Sequence, residues 1–226
     1  MAGGVMRSLL LVAASGLARE ALDAIHAAGG YDVVGIVDDD PSRWGELVGG
    51  AKVIGGLDVV HHYSDAAVLL CAGRGAARAS LAERLGLDDS RYATVVHPDV
   101  YVPATCEVGI GSIVLAGCVL TTDVTVGRHV VLMPHVTLTH DDEIADFATL
   151  CGGVTLGGSV HIGEHCYLGM NASVREDVRI GANTLIGMGS VVLSDISPNE
   201  VWFGVPARRA PKRTSREQLR ELRYDR

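Results

Sequence analysis

No apolar run in the 226-residue chain reaches the roughly 18 to 20 residues that a membrane-spanning helix requires, so no membrane span is expected. The first stretch, Met1 to Ala14, lacks the charged n-region and cleavage site of a secretory leader and reads as a buried strand, which points to a cytoplasmic protein. Basic residues are in the minority: 19 Lys and Arg stand against 27 Asp and Glu, a formal net charge of −8. A protein held on nucleic-acid phosphates by charge needs a basic face, so nucleic acid is not an expected partner. The five cysteines (Cys71, Cys106, Cys118, Cys151, Cys166) contain no Cys-x-x-Cys pair, so neither a disulfide framework nor a metal site is expected. The chain also has no Gly-x-Gly-x-x-Gly, which argues against a bound dinucleotide, and no Gly-x-Ser-x-Gly, which argues against a hydrolase elbow.

What is present is a repeat. Stepping by six from Val102 to Val192 meets sixteen residues, and all are Val, Ile or Leu. An ordinary β-sandwich does not generate such a period; a hexapeptide β-helix does, with one short strand and one turn per hexad. Three hexads make an 18-residue coil, coils stack at the strand spacing of about 4.8 Å, and residues 18 apart lie over one another. Glycine follows the aliphatic residue at Gly109, Gly127, Gly157, Gly163, Gly169, Gly181 and Gly187, as a tight turn would require. Four residues after the aliphatic stand mainly small or aliphatic side chains that suit a narrow interior, such as Cys118, Val136, Val154, Cys166 and Ala172. Cys106, Cys118 and Cys166 are read as core fillers.

Residues 1–97 alternate differently. Strands are expected at Ser8–Ala14, Asp32–Asp38, Lys52–Ile54, Ala67–Ala72 and Ala93–Val96, with helices at Leu17–Ala28 and Ala76–Leu85. That is a small parallel βαβ sheet, whose ligands bind beyond the carboxyl ends of its strands. The expected fold is therefore an α/β domain over 1–97 and a left-handed parallel β-helix over 98–210. A short helix follows in the tail 211–226, where Ser215 to Gln218 form a capping box.

With the repeat, the preceding βαβ unit, Thr139-His140-Asp141-Asp142 and Gly204-Val205-Pro206-Ala207 in view, the chain resembles the left-handed β-helix acyltransferases. Within them it is most similar to the nucleotide-sugar N-acetyltransferases of the bacillosamine and perosamine type, with sialic-acid O-acetyltransferases close by. The resemblance implies transfer of acetyl from acetyl-CoA to the amino group of a nucleotide-linked 4-amino-4,6-dideoxy sugar by a homotrimer. It makes His140 the general base, paired with Asp141. Chemistry agrees, because a His near its ordinary pKa of about 6.5 can take the proton of an attacking amine. Asp142 is the one charged residue at a small interior position, and such a broken rule marks function. His135 reads as a surface residue at a turn, with a partner of the base as the alternative; His129, His161 and His165 are read as surface residues at turns.

By the same resemblance, acetyl-CoA lies between adjacent β-helices against Thr149, Gly153, Gly158, Met170 and Met188. Gly158 stacks one coil above His140, so a side chain there is expected to block the thioester arm. The nucleotide sugar falls to Ser15, Gly16, Leu17, Asp38, Asp39, Gly73 and Arg74. The family's loop reads Gly-x-x-Gly-His-Gly where this chain has Ala13-Ala14-Ser15-Gly16-Leu17-Ala18. A sugar O-acetyltransferase and a non-catalytic nucleotide-sugar-binding protein are the competing readings.

Overall fold

The computed structural model describes residues 6–211. The helix expected in the tail lies outside them. The chain opens with β1 (Arg7–Val12), α1 (Gly16–Ala28), β2 (Tyr31–Val37), β3 (Leu47–Val48), β4 (Ala51–Gly55), β5 (Ala67–Leu70) and α2 (Gly75–Leu85). These strands form one sheet in the order β3-β4-β2-β1-β5. Pairing is parallel except between β3 and β4. Leu9, Leu10, Leu11 and Val12 of β1 are all fully buried, as a parallel strand covered on both faces must be. The Ser15 hydroxyl accepts from the Ala18 N–H and so caps α1, and Gly29, at φ 70°, ends it.

One expected strand of this sheet belongs elsewhere. β6 (Val95–Val96) pairs with Ile113–Val114 and so joins the first coil of the β-helix. The short antiparallel edge strand Leu47–Val48 has no hydrophobic period of its own and was not foreseen from the sequence.

From Glu107 to Val192 the chain forms two-residue strands that recur every six residues and pair in parallel with the strand 18 residues on. Three sheets result, and we call them the first, second and third faces of the prism in chain order. The first runs from Glu107–Val108 to Arg179–Ile180, the second from Ile113–Val114 to Leu185–Ile186, and the third from Val119–Leu120 to Val191–Val192. The aliphatic column points inward and is almost wholly buried from Val114 to Val192. Each such side chain contributes roughly 1.5–3 kcal/mol through burial.

Where the turn strain falls differs from the sequence expectation. The glycines that follow the aliphatic residue have ordinary φ values; a Cβ on Gly109 would meet the Gly127 oxygen at 2.4 Å, and one on Gly163 the Ala182 nitrogen at 2.5 Å. They are glycine because neighbouring coils approach closely. The left-handed turn residue stands two positions later, for example Asp123, His135, Asp141, Asn171 and Asn183, at φ between 53° and 62°. Asp, Asn and His tolerate that region better than other side chains.

The faces have different surroundings. α1 packs on the second, where Ile113, Val131 and Thr149 are buried beneath the N-terminal domain. The first carries Glu107, Thr125, Glu143, His161 and Arg179 outward, along an open groove of about 820 Å³ that runs from Thr125 to Ser197. The third presents only uncharged, mostly small side chains: Val119, Thr137, Thr155, Ser173 and Val191.

Candidate functional site

His140 stands on the edge between the third and first faces, in the turn that follows Thr137–Leu138. Its ring Nδ1 lies 2.8 Å from Asp141 Oδ2, and both side chains are more than half exposed. Asp141 reaches its neighbour because it occupies the left-handed turn position, at φ 61°. The hydrogen bond to the carboxylate raises the His140 pKa above 6.5. Its Nε2 has no hydrogen-bond partner among the described residues. The ring is therefore oriented from one side with the other nitrogen free, which is the arrangement a general base requires.

Two further features hold that turn. Gly158 of the next coil offers a flat seat: a Cβ there would lie 2.2 Å from His140 Cε1 and 2.3 Å from Nε2. Asp142 is fully buried, and its Oδ2 and Oδ1 accept the Thr139 N–H at 2.7 Å and the Val160 N–H at 2.9 Å. Burial raises its pKa to about 6. Ser112 does the same with a hydroxyl elsewhere, accepting the Val130 N–H at 2.9 Å. Asp142 thus clamps the His140 turn to the coil above.

The paired imidazole is expected to stay charged to higher pH than an ordinary histidine. Asp141→Asn should move its titration downward, since the partner that favours the cation is lost. NMR titration of the ring protons checks this, and an unchanged midpoint in Asp141→Asn would remove Asp141 from its role.

The other expected cofactor residues are not beside His140. Gly153, Met170 and Met188 lie on the edge between the second and third faces, Met170 and Met188 at 50% and 58% exposure. The exposed His135 is on that edge too, its ring against Gly117, and so is no partner of His140. Thr149 departs further. It is buried, donates to the Gly73 oxygen at 2.9 Å and accepts from Arg78, so it belongs to the contact between domains.

The three remaining histidines of the repeat also differ from expectation. His129 is fully buried, stacked on Phe147 with ring centres 5.0 Å apart, and burial lowers its pKa to about 4. His165 stacks on the other face of Phe147 at 5.4 Å and is half-buried. His161 is on a strand, 3.2 Å from Glu143 one coil below, a pairing across coils that a search within one hexad cannot find.

In the N-terminal domain a cavity of about 310 Å³ opens beyond the carboxyl ends of β1, β2 and β5, bordered by Ala13, Asp38, Asp39, Ala72, Ser80 and Arg84 among others. Asp39 pairs with Arg84 at 2.6 and 3.1 Å. Asp38 holds the first loop, accepting the Ala14 N–H at 2.7 Å. Ala13 has φ 81°, which explains why a glycine serves at this loop position in the family that the sequence resembles. Ser80 and Arg84 escaped the sequence reading, although Ala77, Ser80 and Arg84 at i, i+3 and i+7 share one face of α2.

Among the expected sugar-binding residues, Leu17 is corrected to a core residue, buried under the sheet because it begins the apolar stripe of α1. Ser15 spends its hydroxyl on the α1 cap and on the Cys71 oxygen at 2.6 Å. Gly16 is open to solvent. Gly73 is exposed, and Arg74 places its guanidinium 5.4 Å from the Tyr167 ring centre on the second face.

Comparison with known proteins follows the same division. The PglD N-terminal domain family matches residues 8–85, and the family "Bacterial transferase hexapeptide (six repeats)" matches residues 159–194. No curated protein matches the chain. A His-to-Asn variant of perosamine N-acetyltransferase from Caulobacter crescentus, solved with CoA and GDP-perosamine, superposes with a TM-score of 0.84 at 25% identity, covering 92% of this chain and 99% of that one. The acetyltransferase domain of PglB from Neisseria gonorrhoeae, with acetyl coenzyme A, gives 0.82 at 25% identity, covering 91% and 100%. WeeI from Acinetobacter baumannii shares the fold at 0.79 and 23% identity, covering 91% and 100%. With the repeat, the cavity-bearing βαβ domain and both matches in sequence order, the chain is an acyltransferase in which a stretch similar to the PglD N-terminal domain precedes one similar to the bacterial transferase hexapeptide repeats.

Proposed function

We propose that the protein moves acetyl from acetyl-CoA to the amino group of a nucleotide-linked 4-amino-4,6-dideoxy sugar, with His140 as general base and three copies sharing their sites. The observation that carries the reading is the exposed His140 ring, oriented by Asp141 at 2.8 Å, seated on Gly158 and free at Nε2. The solved relatives with CoA, GDP-perosamine or acetyl coenzyme A support the two substrates.

In the chemistry, His140 Nε2 accepts a proton from the sugar amine as its nitrogen attacks the thioester carbon. The C–S bond of the tetrahedral adduct then breaks, the thiolate leaves, and the proton returns to sulfur directly or through water. The described residues contain no cluster of three His, Cys, Asp or Glu side chains that could hold a metal, and the transfer as written calls for none.

Quaternary structure supplies what one chain lacks. The N-terminal domain covers the second face, whereas His140 stands on the edge opposite to it. If the uncharged third faces turn toward a threefold axis, the His140 edge of each copy meets the Met170 and Met188 edge of the next, beside that copy's N-terminal domain. The charged first face stays outward.

Co-assembly tests this arrangement. A His140→Ala chain and a chain with Met170→Arg and Met188→Arg are each expected to be inactive alone. Mixed trimers should recover activity, because some junctions then combine an intact base with an intact opposite edge. The product is read by mass spectrometry on 4-amino and 4-hydroxy sugar nucleotides. Mixed trimers as inactive as the separate variants would sink the shared site, and faster acetylation of the hydroxy compounds would make the protein an O-acetyltransferase.

A further inference from the structure

Arg78, in the first turns of α2, is fully buried and has no Asp or Glu in ion-pair contact among the described residues. Its guanidinium is instead enclosed by oxygens. Nε donates to the His129 oxygen at 2.9 Å; Nη1 to the Ala72 and Gly73 oxygens at 2.8 and 3.2 Å; Nη2 lies 2.9 to 3.0 Å from the Phe147 and Ala148 oxygens and from Thr149 Oγ1. Every N–H of the planar fork finds an acceptor, which is the condition for burying such a charge.

The acceptors come from three separate places: the β5–α2 loop, one coil turn at 129, and the turn 18 residues further on at 147–149. Thr149 Oγ1 closes the set by donating to Gly73. The two domains also touch closely here, for a Cβ on Gly75 would lie 1.9 Å from the Phe147 oxygen. The loop so held has Ala72 in the wall of the N-terminal cavity and Arg74 against Tyr167 of the β-helix.

We propose that Arg78 is a positioning residue that locks the 72–74 loop, and with it the nucleotide cavity, at a fixed place on the β-helix, so that a sugar bound in the N-terminal domain is presented to the acetyl donor. This rests on the nucleotide-sugar reading above. A lysine keeps the charge but gathers three donors at one point in place of five on a wide fork, so it cannot satisfy the six oxygens of the three segments.

The test compares Arg78→Lys, Arg78→Met and Thr149→Val with the parent. Arg78→Lys should raise KM for the nucleotide amino sugar about tenfold or more while KM for acetyl-CoA stays within about twofold, because a buried hydrogen-bonding set is lost on the sugar side alone. Thr149→Val keeps the guanidinium and should move the same KM in the same direction by less, which preserves the test if the Arg78 variants fail to fold. Amide exchange over residues 72–78 should quicken in each variant, with the rest of the N-terminal sheet unchanged. Variants that lose thermal stability with both KM values and local exchange as in the parent would overturn the proposal. A parent protein that acetylates no 4-amino sugar nucleotide would instead defeat the substrate reading, and the exchange measurement would still decide the role of Arg78.

Discussion

His140→Ala is expected to lower kcat by about 10² to 10⁴, the range that general-base assistance supplies, with little change in the affinity for either substrate. The ring is exposed, lies over Gly158 and beside Asp141, and is no part of the buried core, so its loss leaves no cavity in the aliphatic column. Oligomeric state by light scattering and ligand affinities by calorimetry should therefore match the parent. Asp141→Asn should cost less, since the base remains while its orientation and its cation lose support. Turnover in His140→Ala within about threefold of the parent would refute the assignment, because so small an effect falls well below base catalysis.

Gly158→Val is the second large effect, and here the structure changes what the stacking of residues 18 apart suggested. From the sequence, a side chain at 158 obstructs the thioester arm and raises KM for acetyl-CoA. In the structure the added Cβ would fall 2.2 Å from His140 Cε1, so the imidazole itself must swing away from Asp141. The backbone at 158 is not in the left-handed region, and the fold should accept the change. We expect kcat to fall into the range expected for His140→Ala, with the coils intact by circular dichroism. The milder Gly158→Ala should follow the same direction, because its Cβ meets the same ring atoms. A rise in KM for acetyl-CoA at unchanged kcat would restore the obstruction argument and remove the seat.

How far the site was legible depends on whether its signal is local. His140 and Asp141 are adjacent in sequence, and Asp142 breaks the interior rule of a strict period, so all three stand out from the chain alone. Gly158 follows from counting one coil. Arg78 carries no such mark: an arginine in an alanine-rich helix reads as a solvated side chain until the coil turns at 129 and 147–149 are seen closing over it. His129 reads as an exposed turn residue for the same reason. Its hexad position places it on a turn, and only the N-terminal domain, with Tyr92 at 4.6 Å ring to ring, buries it.

The β-helix, its 18-residue coil, the βαβ domain before it and the His-Asp pair are legible in the chain alone. Each of these is written as a short-range period or neighbour relation, and the physics of strand pairing and narrow interiors admits one solution for it. The folded molecule alone shows which face the N-terminal domain covers and that Arg78, His129 and Thr149 are buried between the two domains. Those are contacts between segments tens of residues apart. They depend on how two domains dock, and no periodicity within either one encodes that.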